Sequence, residues 1–176
     1  MTSDDLEARV VELERRMKLV EDEHAIRELL AKYGFAADTC KDEEWVALFT
    51  DDGTMDLTMG NVESYSGHRR WTGHDELRQF IGNPEVHHHP DSYGRAMHVS
   101  GNNLVIDIHG DEAICESYSL NIRKDPGGPG FVVFDAANNH WKLRRENGEW
   151  RIQERGRRQV ADGDYVSNLE TEFPVG

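Results

Sequence analysis

Four long runs of alternating polar and apolar residues fill the second half of this chain, and they constrain its fold more than any other feature. They extend from Ala96 to Ile108, from Glu112 to Arg123, from Val132 to Arg145 and from Glu149 to Val160, and the segments that separate them are HGD, DPGGPG and ENG. A period of two sends successive side chains to opposite faces of a strand, while Gly, Asp, Asn and Pro at the joints supply the backbone conformations of reversals. Consecutive strands joined by short turns pair antiparallel. The first half has a different period. Ala25, Ile26, Leu29, Leu30, Tyr33 and Ala37 recur at steps of three and four, which predicts a helix from about Asp22 with one face in a core. Helices first and a four- to six-stranded antiparallel sheet afterwards is the α+β pattern. A sheet of this kind, strongly curved over the N-terminal helices, makes a cone-shaped barrel with a pocket between the layers.

Ahead of that helix, Leu6, Val10, Leu13, Met17 and Val20 alternate at four and three residues among Glu and Arg. This is a coiled-coil seam too short to stand alone in water, so it should lie on its own domain or on a neighbouring subunit. Residues 1–21 are therefore taken as a helical arm, 22–160 as one domain and 161–176 as an acidic tail. Trp45, Leu48 and Phe49 suggest a short helix ended by Thr50 to Gly53, followed by strands at Thr54 to Met59 and Val62 to Ser66. Thr72, Asp75 and Glu76 resemble a helix start with a capping pattern, and Leu77, Phe80 and Ile81 give that helix an apolar face. The stretch GNPEVHHHPDSYGR has no periodicity and reads as a surface loop or lid.

With 176 residues there is material for one domain and hardly for two. Thirty-four acidic against 20 basic residues, a net charge of -14, argue against nucleic acid or an anionic membrane as partner, because those surfaces select cations. No apolar run is long enough to span a bilayer, and the charged N-terminus has no secretory apolar region. Cys40 and Cys115 make no disulfide framework and are expected as free thiols in a reducing cytoplasm.

Two residues carry the chemistry that the pattern suggests. Asp38 ends the apolar face of the first core helix, where the negative end of the helix dipole disfavours an acid, so something outside the helix must hold it. His98 is the histidine read as standing inside an alternating strand, with Ala96 and Ser100 on its face and Met97 and Val99 on the other. A histidine is the usual proton acceptor near neutral pH, and an acid on its second nitrogen fixes its tautomer and stabilises the imidazolium. Tyr33, five residues before Asp38, could lean toward the same cavity, and Tyr118 and Asn121, of opposite parity, are further candidates for its lining. The competing reading leaves Asp38 and His98 in separate structural roles. His87, His88 and His89 are adjacent in a loop and cannot easily share one ion, so no metal site is expected. Asp51, Asp52 and Asp56 suit turn geometry, and Cys40 beside Asp38 is a poor nucleophile.

The order AIRELLAKYGFAAD, EEWVALFTDDGTMD, MHVSGNNLVIDIHGDEA and WKLRRENGEWRIQER, from about Asp22 to Gln159, resembles the SnoaL-like branch of the NTF2-like superfamily. Within that branch the chain looks most like enzymes of the bile acid 7α-dehydratase, hexachlorocyclohexane dehydrochlorinase and scytalone dehydratase kind. The resemblance implies an NTF2-like cone in which His98 is the base, Asp38 its partner and Tyr33 a third catalytic group. Arg155, Tyr118, Asn121, Trp45 and Met55 are the candidate substrate-binding residues. Gln159 stands where the bile acid enzyme has an arginine, whereas Arg155 matches a position beside the dehydrochlorinase pocket and could hold a carboxylate or departing anion. An exposed charged strand face is the other reading of the ERGRR run. The implied function is a cofactor-independent lyase, a dehydratase or HX-eliminating enzyme, for a hydrophobic molecule such as a steroid or polyketide. An isomerase or polyketide cyclase using the same dyad is one alternative. A non-catalytic ligand-binding or oxygenase small-subunit module is the other. A homodimer or homotrimer is expected.

Overall fold

In the computed structural model, residues 2–57, 69–84, 87–89 and 96–160 are described. The arm and the first core helix form one helix, α1, over Ser3–Asp38. A capping box starts it: the Thr2 hydroxyl accepts from the Asp5 N–H at 3.2 Å, and the Asp5 carboxylate accepts from the Thr2 N–H at 2.9 Å. The seam of the arm does not cover the core of its own domain, since exposure rises from 47% at Leu6 to 68% at Val20. A continuous helix advancing about 1.5 Å per residue cannot fold back over the body it leaves.

The arm meets the body at Asp22. This buried carboxylate accepts from Lys18 Nζ at 2.8 Å and Trp150 Nε1 at 3.3 Å, and pairs with Arg145 at 2.7 Å. The Arg145 guanidinium also lies over the Trp150 ring, 4.3 Å from its centroid. Burial opposes the Asp22 charge, but the hydrogen bonds from Lys18, Arg145 and Trp150 outweigh it and hold the carboxyl below its usual range.

After α1 come α2, Asp42–Val46, then β1, Phe49–Asp56, and β2, Arg70–Thr72. Phe49 is thus the first residue of a strand and not the last of a helix: its Cα partner is Ile152, and the pairing buries it. The expected strand from Val62 to Ser66 lies outside the described residues, as does the tail. Next is α3, His74–Ile81, whose N-cap is Gly73 at φ 79, not Thr72. Thr72 ends β2, and its N–H donates to Glu76 at 2.8 Å. Four long strands complete the chain: β3, Ala96–His109; β4, Glu112–Lys124; β5, Phe131–Glu146; and β6, Glu149–Gln159.

The six strands form one curved, unclosed sheet in the order β2-β1-β6-β5-β4-β3. β3 to β6 pair antiparallel, as the turn sequences require, but β1 runs parallel to β6. The sheet is mixed and not antiparallel throughout, because a parallel pair needs a long crossover and the chain from Leu57 to Gly148 supplies one. The helices pack on its concave face. Ile26, Leu30 and Ala37 from α1, Trp45 from α2 and Phe80 from α3 meet Phe49, Met55, Trp141 and Ile152 in one core. α1 approaches β3 closely at Gly34, where a Cβ would stand 3.1 Å from Ser100 Oγ and 3.2 Å from the His98 carbonyl oxygen.

Two consequences can be measured. Asp22→Asn should destabilise the protein by about 1–3 kcal/mol at neutral pH, the cost of disturbing a buried hydrogen-bonded group. Because the folded carboxyl is depressed, its contribution is complete above the unfolded value near about 4 and lost as the pH falls below it. Urea unfolding at stepped pH should therefore show the gap between parent and variant closing in acid. A gap that stays constant with pH would contradict the pairing. Gly34→Val should cost about 1–3 kcal/mol by overpacking, despite the better helix propensity of Val; an unchanged urea midpoint would show that α1 and β3 are not held this closely.

Candidate active site

Asp38 is the last residue of α1, and no basic side chain occupies the last turn to offset the dipole there. Its compensation comes from β3. The His98 N–H donates to both carboxylate oxygens, at 3.1 and 2.9 Å, and His98 Nδ1 lies 2.5 Å from Asp38 Oδ1. An ionised carboxylate only accepts, so Nδ1 carries a proton and Nε2 of the neutral ring carries the lone pair. Both side chains are mostly buried. The two residues are 60 positions apart, and they meet because the close contact at Gly34, one turn earlier, brings the helix end down on the strand.

Tyr33 and Arg155 form a second polar group in the same half of the core. Arg155 is 5% exposed, which excludes the solvated strand face for this arginine. Its Nη1 donates to the Tyr33 hydroxyl, and its Nε and Nη2 donate to Asn139 Oδ1 at 3.1 and 2.6 Å. The guanidinium lies over the rings of Tyr33 and Trp141, 4.7 and 4.9 Å from their centroids. Burial raises the Tyr33 pKa against the opposing pull of Arg155, so the phenol keeps its proton. Trp45 and Met55 belong to the core: Trp45 packs on Tyr33, Phe49 and Phe80, and Met55 is the ladder partner of Arg155.

Strand parity divides Tyr118 from Asn121. Ser117 and Ser119 are buried on the concave face, whereas Tyr118 points outward and is 44% exposed. It does not line the interior. Asn121 is on the inner face as the ladder partner of His98, and its Nδ2 donates to Asp135 at 2.9 Å. Arg157 also pairs with Asp135, as does Gln159 at 3.2 Å, so neither duplicates the place of Arg155.

His87 and His88 are held in place by contacts to other elements. His87 turns inward, its ring stacked on His98 at 5.6 Å and 27° and edge-on to Phe80 at 5.4 Å. The Cys40 thiol donates to the His87 carbonyl at 3.4 Å, and His88 Nε2 contacts the Asp42 carboxylate at 2.9 Å. Neighbouring histidines in this loop face different partners. The sequence reading missed His87, although an aromatic nitrogen heterocycle in an otherwise polar loop beside a buried helix is a signal that could have flagged it. It also passed over His140, which stands inside β5 and bonds Glu116 from the convex side, so His98 is not the sole histidine within a strand. Both cysteines are unpaired; burial, with Asp42 and Asp38 nearby, raises the Cys40 thiol, and burial pushes Cys115 up to about 12. Neither is activated as a nucleophile. A groove of about 400 Å³ borders α1 near Lys18, Asp22, Leu29 and Trp150, and none of the dyad residues lines it.

No helix among the described residues is long and apolar enough to cross a membrane. No curated protein matches the chain. Several solved structures share its fold. An NTF2-like protein with a cystatin-like fold from Novosphingobium aromaticivorans is 25% identical, with 90% of this chain and 96% of that one covered and a TM-score of 0.76. A protein of unknown function with a cystatin-like fold from Nostoc punctiforme is 24% identical over 80% and 92% of the chains, TM-score 0.62. The hexachlorocyclohexane dehydrochlorinase LinA-type3 from Novosphingobium barchaimii is 15% identical over 82% and 90%, TM-score 0.64. The SnoaL-like domain matches residues 18–156, which include Asp38, His98 and the whole curved sheet as far as Gly156. With that span matched and the fold shared, this chain is a member of the SnoaL-like domain family and has the NTF2-like fold.

Proposed function

We propose that the protein is a cofactor-independent lyase acting on a hydrophobic small molecule, with His98 as general base and Asp38 as its partner. The observation that carries this reading is the contact of 2.5 Å between His98 Nδ1 and Asp38 Oδ1, which leaves Nε2 as the proton acceptor. Nε2 takes a proton from a carbon next to an activating group. The electrons of that C–H bond become the new double bond while the bond to the leaving group breaks. Asp38 stabilises the imidazolium and keeps the ring oriented. A departing hydroxide takes a proton from the Tyr33 hydroxyl and leaves as water; the phenolate formed lies against the Arg155 guanidinium and regains a proton from the imidazolium through solvent. A departing halide needs no such proton. Structural likeness to a hexachlorocyclohexane dehydrochlorinase is compatible with this chemistry. Returning the proton to another carbon would make the same dyad an isomerase, and attack of the carbanion on a carbonyl would make it a cyclase.

A non-catalytic module is the second reading, favoured by the filling of the interior with Trp45, Met55 and Trp141. Turnover separates the two. In a screen of lipophilic alcohols, steroids and polyketides, His98→Ala and Asp38→Ala should each lower turnover of a converted substrate by about two orders of magnitude or more, the scale of general-base loss. Thermal unfolding should remain cooperative. Full activity in His98→Ala would rule the dyad out.

The seam of Leu6, Val10, Leu13, Met17 and Val20, exposed along its length, supports a homodimer or homotrimer as the working form. Light scattering should give a mass of two or three chains that falls on replacing Leu13 and Met17 with Lys. A monomeric parent would contradict it.

A further inference from the structure

Two polar atoms beside His98 have no hydrogen-bond partner among the described residues, although both are sealed from solvent: His87 Nε2 and Asn121 Oδ1. Their residues neighbour His98 in different ways. His87 stacks on it, held by Phe80 and by the bond from Cys40 to its own carbonyl. Asn121 stands directly across the β3–β4 ladder from His98, and its Nδ2 is already engaged by Asp135, which orients Oδ1 the other way. A buried polar atom without a partner is costly, and folded proteins tolerate few of them. Two next to one proposed base is an arrangement that a ligand can complete.

The chemistry of the two atoms restricts that ligand. Asn121 Oδ1 only accepts, so its partner must donate. His87 is kept neutral: burial first, then the electrostatic influence of the nearby His98, Arg155 and His88, pushes its pKa down to about 3. With its proton on Nε2, the tautomer that this subsite requires, a neutral imidazole donates. One group that accepts from His87 and donates to Asn121 at the same time is a hydroxyl. A carbon-bound halogen cannot donate, and an ether or ketone oxygen can satisfy His87 alone.

We propose that His87 and Asn121 form a subsite for a hydroxyl group of the substrate, next to the carbon that His98 deprotonates. The substrate class is therefore a hydroxylated apolar molecule and not a purely halogenated hydrocarbon. This deepens the lyase reading and rests on it for the position of the reacting carbon, but the binding preference can be measured without turnover.

The probes are 2-naphthol, 2-methoxynaphthalene and 2-chloronaphthalene, which share one ring system and differ in whether the substituent donates. Calorimetric titration of the parent should show 2-naphthol binding at least about tenfold more tightly than the other two, the scale of one satisfied buried hydrogen bond. His87→Phe and Asn121→Ala should each bring the three probes to within about threefold of one another. In both variants the affinity for 2-chloronaphthalene should stay at the parent value. His87→Gln, which restores a neutral donor, should recover most of the preference. Equal binding of all three probes by the parent would overturn the subsite, whether the two atoms are satisfied by water or by another part of the chain. A preference for 2-naphthol retained in His87→Phe would also overturn it. Loss of turnover in His98→Ala tests the dyad separately, so either idea can fail while the other stands.

Discussion

The Asp38 carboxylate holds the first core helix to the third strand of the sheet, and much of the site's geometry follows from that attachment. A helix C-terminus carries partial negative charge, and α1 has no basic residue in its last turn to neutralise it. Two donors from one residue of β3, the backbone N–H of His98 to both oxygens and its ring nitrogen to one, take over that task with three hydrogen bonds. The contact forms because Gly34 lets the helix backbone settle on His98 and Ser100. A Cβ there would press on the His98 carbonyl oxygen and the Ser100 hydroxyl. Packing and proposed catalysis share one constraint.

A second constraint lies deeper. Arg155 is a buried cation, and burying a charge is expensive unless its hydrogen bonds are made. The Tyr33 hydroxyl, the Asn139 amide oxygen and the faces of Tyr33 and Trp141 surround its guanidinium. These partners come from α1 and β5, and Arg155 itself from β6, so the guanidinium joins three elements. It also sets the character of Tyr33, whose proton is retained through burial while the nearby positive charge favours the phenolate whenever that proton is given up. Burial first, and the nearby guanidinium after it, keep His87 neutral. Around His98 there are thus a negative partner on one side and a neutral imidazole on the other, an asymmetry suited to moving a proton in one direction.

The convex face of the sheet differs in kind. Met97, Val105, Ile114, Tyr118 and Leu120 are exposed there, while Glu116 and His140 form a partly buried pair on the same side. This second histidine and acid couple faces away from the concave core. Two His–carboxylate contacts on opposite faces of one sheet show why residue type alone is a weak guide to chemistry. Position relative to the helices distinguishes them.

Much of the fold is legible in the residue order because periodicity is a local property. The alternation from Ala96 onward, with HGD, DPGGPG and ENG between runs, predicts β3 to β6 and their antiparallel pairing, and steps of three and four predict the core-facing side of α1. Parity places His98 on one strand face, and the position of Asp38 at a helix end raises the question of what holds it. Direction and distance are not local. The parallel alignment of β1 with β6, the contact of Asp38 with His98 across 60 residues and that of Tyr33 with Arg155 across 122 arise when distant segments meet. Nothing in GNPEVHHHPDSYGR turns His87 inward by itself; Cys40, Phe80 and His98 do so after the sheet has curled beneath the helices. The sequence by itself determined the elements, their faces and the kinds of group they carry. The tertiary structure decided which of those groups meet, because hydrogen bonds and stacking act over a few ångströms in space and are indifferent to separation along the chain.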